Sequence, residues 1–150
     1  MPLPGHRTRR GVLGLALACA LALATAQPAT AAPSRLASYR GLGAWIDIYD
    51  DHAWNHPVQT MAAFRRRGVR TVYLQTCHFN CDRPLFRPAR MADLLRAAHN
   101  QGIRVVSWYL PGFVRPKRDL GRSLTAIRFR TRDGHRFDSF ALDIEAMEVR

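Results

Sequence analysis

Residues 103–110 read Ile103-Arg104-Val105-Val106-Ser107-Trp108-Tyr109-Leu110, and this stretch decides the fold. It is rich in β-branched and aromatic residues, and Pro111 interrupts it, which is the pattern of a strand that ends at a turn. A helical pattern precedes it, because Pro88 suits a first helical residue, apolar residues follow on one side, and Gly102 suits a helix end. Residues 88–110 therefore predict a helix that leads into a strand.

The same unit recurs on both sides of this segment. Residues 44–49 and 71–75 predict two earlier strands, and a helix opened by Pro57 and ended by Gly68 lies between them. Residues 137–145 predict a fourth strand. A weaker apolar stripe before it predicts a third helix and consists of Leu120, Leu124 and Ile127. Strands that alternate with helices predict a parallel sheet, either an open doubly wound sheet or a (β/α)8 barrel.

The alternation of side chains along the strands favours the barrel. The predicted polar or aromatic faces contain Trp45, Asp47 and Tyr49; Thr71, Tyr73 and Gln75; Ser107 and Tyr109; and Ala141, Asp143 and Glu145. A doubly wound sheet needs two apolar faces, whereas a barrel admits polar residues at the inner C-terminal rim. We predict an α/β fold, the first half of a (β/α)8 barrel with four parallel strands and about three helices. Because a whole barrel takes about 250 residues, we expect residues 41–150 to be the N-terminal half of a longer barrel.

The N-terminus has the layout of a secretory signal. Arg9 and Arg10 precede an uncharged apolar run over residues 11–26, and small residues mark cleavage sites near Ala26 or Ala31. We expect a signal peptide over residues 1–31 and a linker over residues 32–40. The arginine pair also fits a twin-arginine motif, so both export routes stay open. Either route predicts a secreted protein, and the run is too short to favour a stable membrane anchor.

The charge is strongly positive, with 23 basic and 11 acidic residues and a formal net charge of +12. The arginines are spread along the chain, and the densest run, residues 65–67, lies at a predicted helix C-terminus, where cations meet the negative end of the helix dipole. We therefore predict no nucleic-acid partner. Attraction to anionic cell-wall polymers stays open.

Cys77 and Cys81 follow the second predicted strand. An even pair of cysteines in an oxidising compartment predicts a disulfide bond. His78 lies between them and leaves a metal site as the alternative, but three ligands within five residues are crowded. We expect the disulfide, and no metal or other cofactor.

Asp143 and Glu145 form the richest chemical feature of the sequence. Two positions apart on a strand, they share a face and lie about 6.6 Å apart along it, at the predicted barrel mouth. This arrangement suits one acid and a helper, since Glu145 would protonate a leaving oxygen while the charge of Asp143 raises its pKa. A rim pair that binds arginine or solvent is the structural alternative.

Other side chains near this rim are candidates for substrate contacts. The aromatic candidates for stacking on sugar rings are Trp45, Tyr49, Tyr73 and Tyr109. Asp47 and Gln75 are candidates for hydrogen bonds to hydroxyl groups. The alternative is that the aromatic residues fill the barrel core. A group in the loop after the first strand suits either a metal site or ordinary helix caps and contains Asp50, Asp51, His52 and His56.

Residues 137–145 resemble the fourth-strand signature of family 18 glycoside hydrolases, the chitinases. That pattern is Phe-Asp-Gly-x-Asp-x-Asp-x-Glu, and its final Glu is the general acid. The resemblance gives Glu145 that role and matches Asp143 to the last Asp and Asp138 to the first. Ser139 replaces the Gly and Ala141 the middle Asp, which departs from the substrate-assisted mechanism of that family.

Two further resemblances point to the same chemistry. Family 25 muramidases carry an Asp near the end of strand one and Asp-x-Glu on strand four, and Asp47, Asp143 and Glu145 are similar to that trio. Four blocks follow one another along the chain: Trp-Ile-Asp-Ile-Tyr-Asp at residues 45–50, Tyr-Leu-Gln-Thr at 73–76, Trp-Tyr-Leu-Pro-Gly-Phe at 108–113 and Ala-Leu-Asp-Ile-Glu at 141–145. With these blocks the mature chain also resembles secreted actinobacterial barrels described as glycosyl hydrolases. These resemblances imply hydrolysis of an extracellular or cell-wall polysaccharide by general acid catalysis. The alternatives are a carbohydrate-binding pseudoenzyme, an inactive fragment and a metal-dependent hydrolase.

Overall fold

The computed structural model describes residues 36–145, so the predicted signal peptide and the first residues of the predicted linker lie outside the described residues. These residues form one parallel sheet in the order β1-β2-β3-β4. Its strands are β1 (Leu42–Ile46), β2 (Val69–His78), β3 (Arg104–Leu110) and β4 (Ser139–Leu142). A strand order that follows the chain is that of a barrel, whereas a doubly wound sheet reverses its order in the middle. The predicted fold class, an α/β half-barrel, is confirmed.

Helices connect the strands on one side of the sheet. They are α1 (Asp51–Asn55), α2 (Pro57–Arg66), α3 (Pro88–Asn100) and α4 (Pro116–Arg128). The three longer helices each begin at a proline, whose missing N–H would have no helical partner at that position. Gly68 and Gly102 follow α2 and α3 with positive φ angles of 83° and 65°, which an L side chain rarely adopts. The three predicted helices are therefore confirmed, and α1 is additional.

The core lies between the sheet and the helices. The sheet supplies Ile46, Val72, Leu74 and Val105, and α3 supplies much of the opposite side, including Met91, Leu94 and Leu95. Burial of each such side chain stabilises the fold by about 1.5–3 kcal/mol. Trp54 of α1 is also fully buried, and its indole N–H donates to the carbonyl oxygen of Asp47 at 2.7 Å. This bond holds α1 against the end of β1.

Helix α4 does not bury its apolar stripe. Leu120 is 60% exposed and Ile127 is 47% exposed, whereas Asp119, Arg122 and Ala126 are buried. The two charged side chains are buried because they have partners beneath the helix. Asp119 accepts hydrogen bonds from the Tyr109 hydroxyl and the Phe113 N–H, and Arg122 donates to backbone carbonyls of the loop after β2.

Residues 36–40 belong to the folded unit, although they were expected to be part of a linker. Residues Ala37–Tyr39 form a 3₁₀ turn at the N-terminal end of the sheet. Thr71 of β2 donates to the Ser38 carbonyl at 3.0 Å, and the Tyr39 hydroxyl lies 2.6 Å from the Ser139 hydroxyl of β4. The turn is therefore attached to two strands of the sheet.

The predicted disulfide bond joins Cys77 and Cys81, whose Cα atoms are 6.0 Å apart. The buried Arg122 guanidinium donates to the carbonyl oxygens of His78 at 2.6 Å and Phe79 at 2.8 Å, and also to that of Cys81. Arg118 of α4 also donates to the Cys81 carbonyl at 3.0 Å, so two side chains fix the disulfide loop to α4. Within residues 36–145, no helix combines the length and apolar character needed to cross a bilayer.

Candidate functional site

Among residues 36–145, no helix lies on one face of the sheet, and this face is the inner side of the half-barrel. Parallel register places Trp45 beside Tyr73, Tyr73 beside Val106, and Val106 beside Ser139, so these four residues share a face. Their chain neighbours, such as Leu74, belong to the core under the helices. Because side chains alternate along a strand, Trp45 and Tyr73 lie on the inner face.

Three aromatic rings meet on this inner face, and we call Trp45, Tyr73 and Trp108 the aromatic cluster. Trp45 stacks on Tyr73 with ring centroids 4.6 Å apart and an interplanar angle of 15°, and it meets Trp108 edge-on at 5.4 Å. The Trp108 indole N–H donates to the Tyr73 carbonyl at 3.3 Å, which fixes the ring. Trp45 is 58% exposed, so the cluster presents a broad apolar surface to solvent.

Gly43 provides the space that the cluster needs. A Cβ atom at this position would lie 2.8 Å from the Tyr73 ring. Real Cβ contacts are not that short, so a larger residue would displace the ring from its place beside Trp45. The stacking therefore depends on a glycine in β1 as well as on the aromatic residues.

The predicted faces of the third strand are wrong. Trp108 pairs in register with Gln75 and contacts Trp45, so it lies on the inner face, and Tyr109 lies on the helix side. Tyr109 is fully buried and its hydroxyl donates to Asp119 of α4 at 2.5 Å. Burial and then this hydrogen bond raise the pKa of Tyr109. A buried carboxylate partner lets a tyrosine occupy the core, which the alternation of the strand alone does not indicate.

Asp143 and Glu145 follow β4 at the C-terminal edge of the sheet. Ala141 is in register with Trp108, and the Asp143 N–H donates to the Tyr109 carbonyl at 3.0 Å, which continues the strand pairing by one step. Asp143 is half-buried and Glu145 is exposed. Asp143 comes two residues after Ala141, the partner of Trp108, and so lies within about 7 Å of it along the chain, whereas Glu145 is four residues beyond Ala141.

Asp47 is not brought to these two carboxylates. It follows β1, which is three strand spacings from β4, or about 14 Å across a flat sheet. Its carboxylate accepts the Tyr49 N–H at 2.6 Å, and its own N–H donates to Asp50 at 3.0 Å. Asp47 therefore organises the turn after β1, and Tyr49 lies exposed in that turn, outside the aromatic cluster.

Gln75 lies between the aromatic cluster and the end of β1. Only 4% of it is exposed, and its side-chain oxygen accepts the Ile48 N–H at 3.0 Å. This bond satisfies a backbone donor just beyond the last residue of β1. Gln75 thus shapes the rim of the inner face.

The predicted metal alternatives were the loop after β1 and the disulfide loop. In the first, Asp51 pairs with Arg87 at 3.2 Å, and the His52 and His56 rings lie 4.9 Å apart. In the second, the His78 ring Nδ1 accepts the Asn80 N–H at 3.0 Å, and burial followed by the charge of Arg122 lowers the pKa of His78. Among residues 36–145, no three His, Cys, Asp or Glu side chains are grouped to hold a metal ion.

Trp108 is the member of the aromatic cluster that the sequence did not reveal. The third strand carries one large aromatic residue on each face, and the pattern along that strand does not show which faces inward. The available signal lay in α4, where the acidic Asp119 follows three residues after Pro116 and supplies a partner for Tyr109 under the helix.

No protein family, curated protein or solved structure matches this chain. The class is therefore defined by the fold and the site alone: an α/β protein with a parallel four-stranded half-barrel. Its inner face carries an aromatic cluster with Trp45 exposed, and two acidic residues follow β4 at the C-terminal edge of the sheet.

Proposed function

We propose that this chain is a glycoside hydrolase that binds an extracellular or cell-wall polysaccharide on the aromatic cluster and uses Glu145 as the general acid. The observation that carries the proposal is the position of Trp45, Tyr73 and Trp108 on the uncovered face of the sheet, beside the strand that leads to Asp143 and Glu145. In parallel α/β folds, the C-terminal strand edge is where active sites lie.

The aromatic cluster supports saccharide binding. Sugar rings present apolar C–H faces, and a flat exposed ring such as Trp45 matches them in size and polarity. Tyr73 stacks behind Trp45 and Trp108 abuts its edge, so the platform is already ordered before a ligand arrives. An ordered surface loses little side-chain freedom when it binds, and this favours affinity.

The carboxylate pair supports hydrolysis. Glu145 would give its proton to the glycosidic oxygen as the bond from that oxygen to the anomeric carbon breaks, and water would add to the carbon and release a proton. Asp143 would orient the Glu145 carboxyl toward that oxygen. Glu145 also holds the position of the general acid in the family 18 pattern that residues 137–145 resemble.

The test is release of reducing ends from chitin and from purified peptidoglycan by the full chain. We expect Glu145→Gln to lower the rate at least 100-fold, because the proton donor is lost, and Asp143→Asn to lower it less. Asp93→Asn is the matched control, since Asp93 pairs with Arg96 on α3, away from the inner face. Equal rates for wild type and Glu145→Gln would contradict the assignment.

Binding without cleavage is the second candidate, and Ala141 favours it. This residue lies on the inner face, in register with Trp108, where the family 18 pattern has an aspartate. Retention of the chain on either polysaccharide with no reducing ends released, together with loss of retention in Trp45→Ala, would establish this function in place of hydrolysis.

A further inference from the structure

Within residues 36–145, the net charge is concentrated at the end of the sheet opposite Asp143 and Glu145. In a parallel α/β fold, strand N-termini and helix C-termini lie at the same end. This end, which we call the basic end, carries Arg40, Arg65, Arg66, Arg67, Arg70, Arg104, Arg128, Arg130, Arg132 and Arg136. Two carboxylates, Asp133 and Asp138, lie there, so ten arginines less two aspartates give +8. The remaining charges of residues 36–145 are eight basic and eight acidic and cancel.

The arginines of the basic end have no carboxylate partners in the described part of the chain. Asp133 pairs with Arg96 and His135, and Asp138 pairs with His99 and the Val105 N–H. None of the ten forms an ion pair in the range 36–145. The basic end therefore has a positive electrostatic potential, and such a potential attracts polyanions.

Helix dipoles account for only part of this pattern. Arg65, Arg66 and Arg128 stand in the last turns of α2 and α4, and Arg67 follows α2, where cations are stabilised by up to about 1 kcal/mol each. The other six arginines belong to strands and loops. Arg104, for example, opens β3, donates to the Arg40 carbonyl at 2.7 Å, and has a buried Nε without a partner.

A hollow of about 340 Å³ opens at this end between α4 and β4. Arg130 and Arg136 line it with Ile127 and Asp138, and part of its wall is the start of β4. Arg130 donates from Nη1 to the Phe129 carbonyl at 2.9 Å, which leaves its other N–H groups and the Arg136 guanidinium as donors for an anionic group in the hollow. The single lysine of the chain, Lys117, stands at the other end.

We infer that the basic end binds a linear phosphodiester polymer that carries no bases, such as a polyol-phosphate chain of a cell envelope. Surfaces that bind single-stranded nucleic acid combine basic residues with exposed aromatic rings on which bases stack. Tyr39 is the exposed aromatic residue at this end among residues 36–145, and its hydroxyl is bonded to Ser139 and Phe140. The surface is therefore suited to bind phosphate groups rather than to stack on bases. The inference is independent of the proposed hydrolysis, because it concerns the opposite end of the sheet.

The test measures binding of long-chain inorganic polyphosphate to the full chain by calorimetry at several salt concentrations. One variant carries Arg65→Gln, Arg66→Gln and Arg67→Gln, and a second carries Arg130→Gln, Arg132→Gln and Arg136→Gln. The control loses the same charge at the opposite end through Arg83→Gln, Arg115→Gln and Lys117→Gln, all of them exposed positions. Thermal melts identify any variant that fails to fold. If one triple variant at the basic end does not fold, the binding measured for the other triple variant tests the inference.

We expect each triple variant at the basic end to weaken binding at least tenfold. The slope of log K against log salt concentration should become less negative by about two, because three phosphate contacts that release counterions are removed. The control should change affinity less than twofold. Equal loss in the control would show a general charge effect and overturn the inference, as would no binding of polyphosphate. Tighter binding of single-stranded DNA of equal phosphate number, or of vesicles rich in anionic lipid, would overturn it in favour of those partners.

Discussion

Trp45 is the side chain on which the proposed binding surface depends, and Trp45→Ala separates binding from folding. The residue is 58% exposed, so about 100 Å² of a tryptophan surface of roughly 250 Å² is buried. At about 25 cal/mol per Å², the substitution lowers the free energy of unfolding by about 2.5 kcal/mol. The variant should therefore fold, whereas truncation of a fully buried tryptophan such as Trp54 costs up to about 5 kcal/mol.

The same substitution should weaken saccharide binding at least tenfold, equivalent to about 1.4 kcal/mol, because the outer ring of the aromatic cluster is gone. The assay is calorimetric titration with chitin hexasaccharide, and urea unfolding checks stability. Tyr109→Phe is the control, since Tyr109 lies on the helix side of the sheet. Unchanged affinity in folded Trp45→Ala, or an equal loss in Tyr109→Phe, would refute the assignment of the inner face.

Three variants test the structure itself by urea unfolding. Tyr109→Phe removes the buried hydrogen bond to Asp119 and should lower the free energy of unfolding by about 1–2 kcal/mol. Asp138→Asn should lower the free energy of unfolding by about 1 kcal/mol at pH 7. Burial raises the pKa of Asp138, but hydrogen bonds from His99 and a backbone N–H outweigh it, so the folded-state pKa is lowered. The wild type should therefore have a higher free energy of unfolding than Asp138→Asn above about pH 4, and this difference should be lost as the pH falls through the lowered pKa. Replacing Cys77 and Cys81 by serine opens a short loop and should cost about 2 kcal/mol.

Each of these three has an outcome that contradicts its reasoning. A Tyr109→Phe variant as stable as the wild type would show that Asp119 does not need the hydroxyl. A cost of Asp138→Asn that stays the same at pH 2.5 would show that the charge of the carboxylate contributes nothing. Full stability of the double serine variant would mean that the hydrogen bonds from Arg118 and Arg122 hold the loop after β2 without the disulfide.

The alternation of strands and helices could be predicted because its signals are local. Pro57 and Pro88 mark helix starts, and Gly68 and Gly102 mark helix ends, through constraints on single residues. The parallel sheet then follows from the order of the elements. The disulfide was predictable for the same reason, since both cysteines lie in one short loop.

The inner face could be predicted only in part, because it depends on register between strands. Trp45 and Tyr73 were placed correctly, as the neighbouring residues along β1 and β2 are plainly apolar. In β3, Trp108 and Tyr109 are both suited to either face, and the deciding partner, Asp119, is ten residues further along the chain. Contacts of that kind are not visible in the periodicity of a single strand.

The expected linker shows the same limit. Residues 36–40 look like a linker because they have no periodicity, but Tyr39 bonds to residues about one hundred positions away. The expected role of Asp47 in substrate contacts stays a prediction. The prediction that residues 41–150 are half of a longer barrel stays a prediction.

Oxidative footprinting of the three tryptophans tests the central claim most directly, because each one occupies a different environment. In the free chain, Trp45 should be labelled strongly, Trp108 weakly and the fully buried Trp54 not at all. Saturating chitin hexasaccharide should protect Trp45 and leave Trp54 unchanged. A Trp45 that is already protected in the free chain, or that is labelled equally with and without the saccharide, would contradict the claim that the inner face is an open saccharide-binding surface.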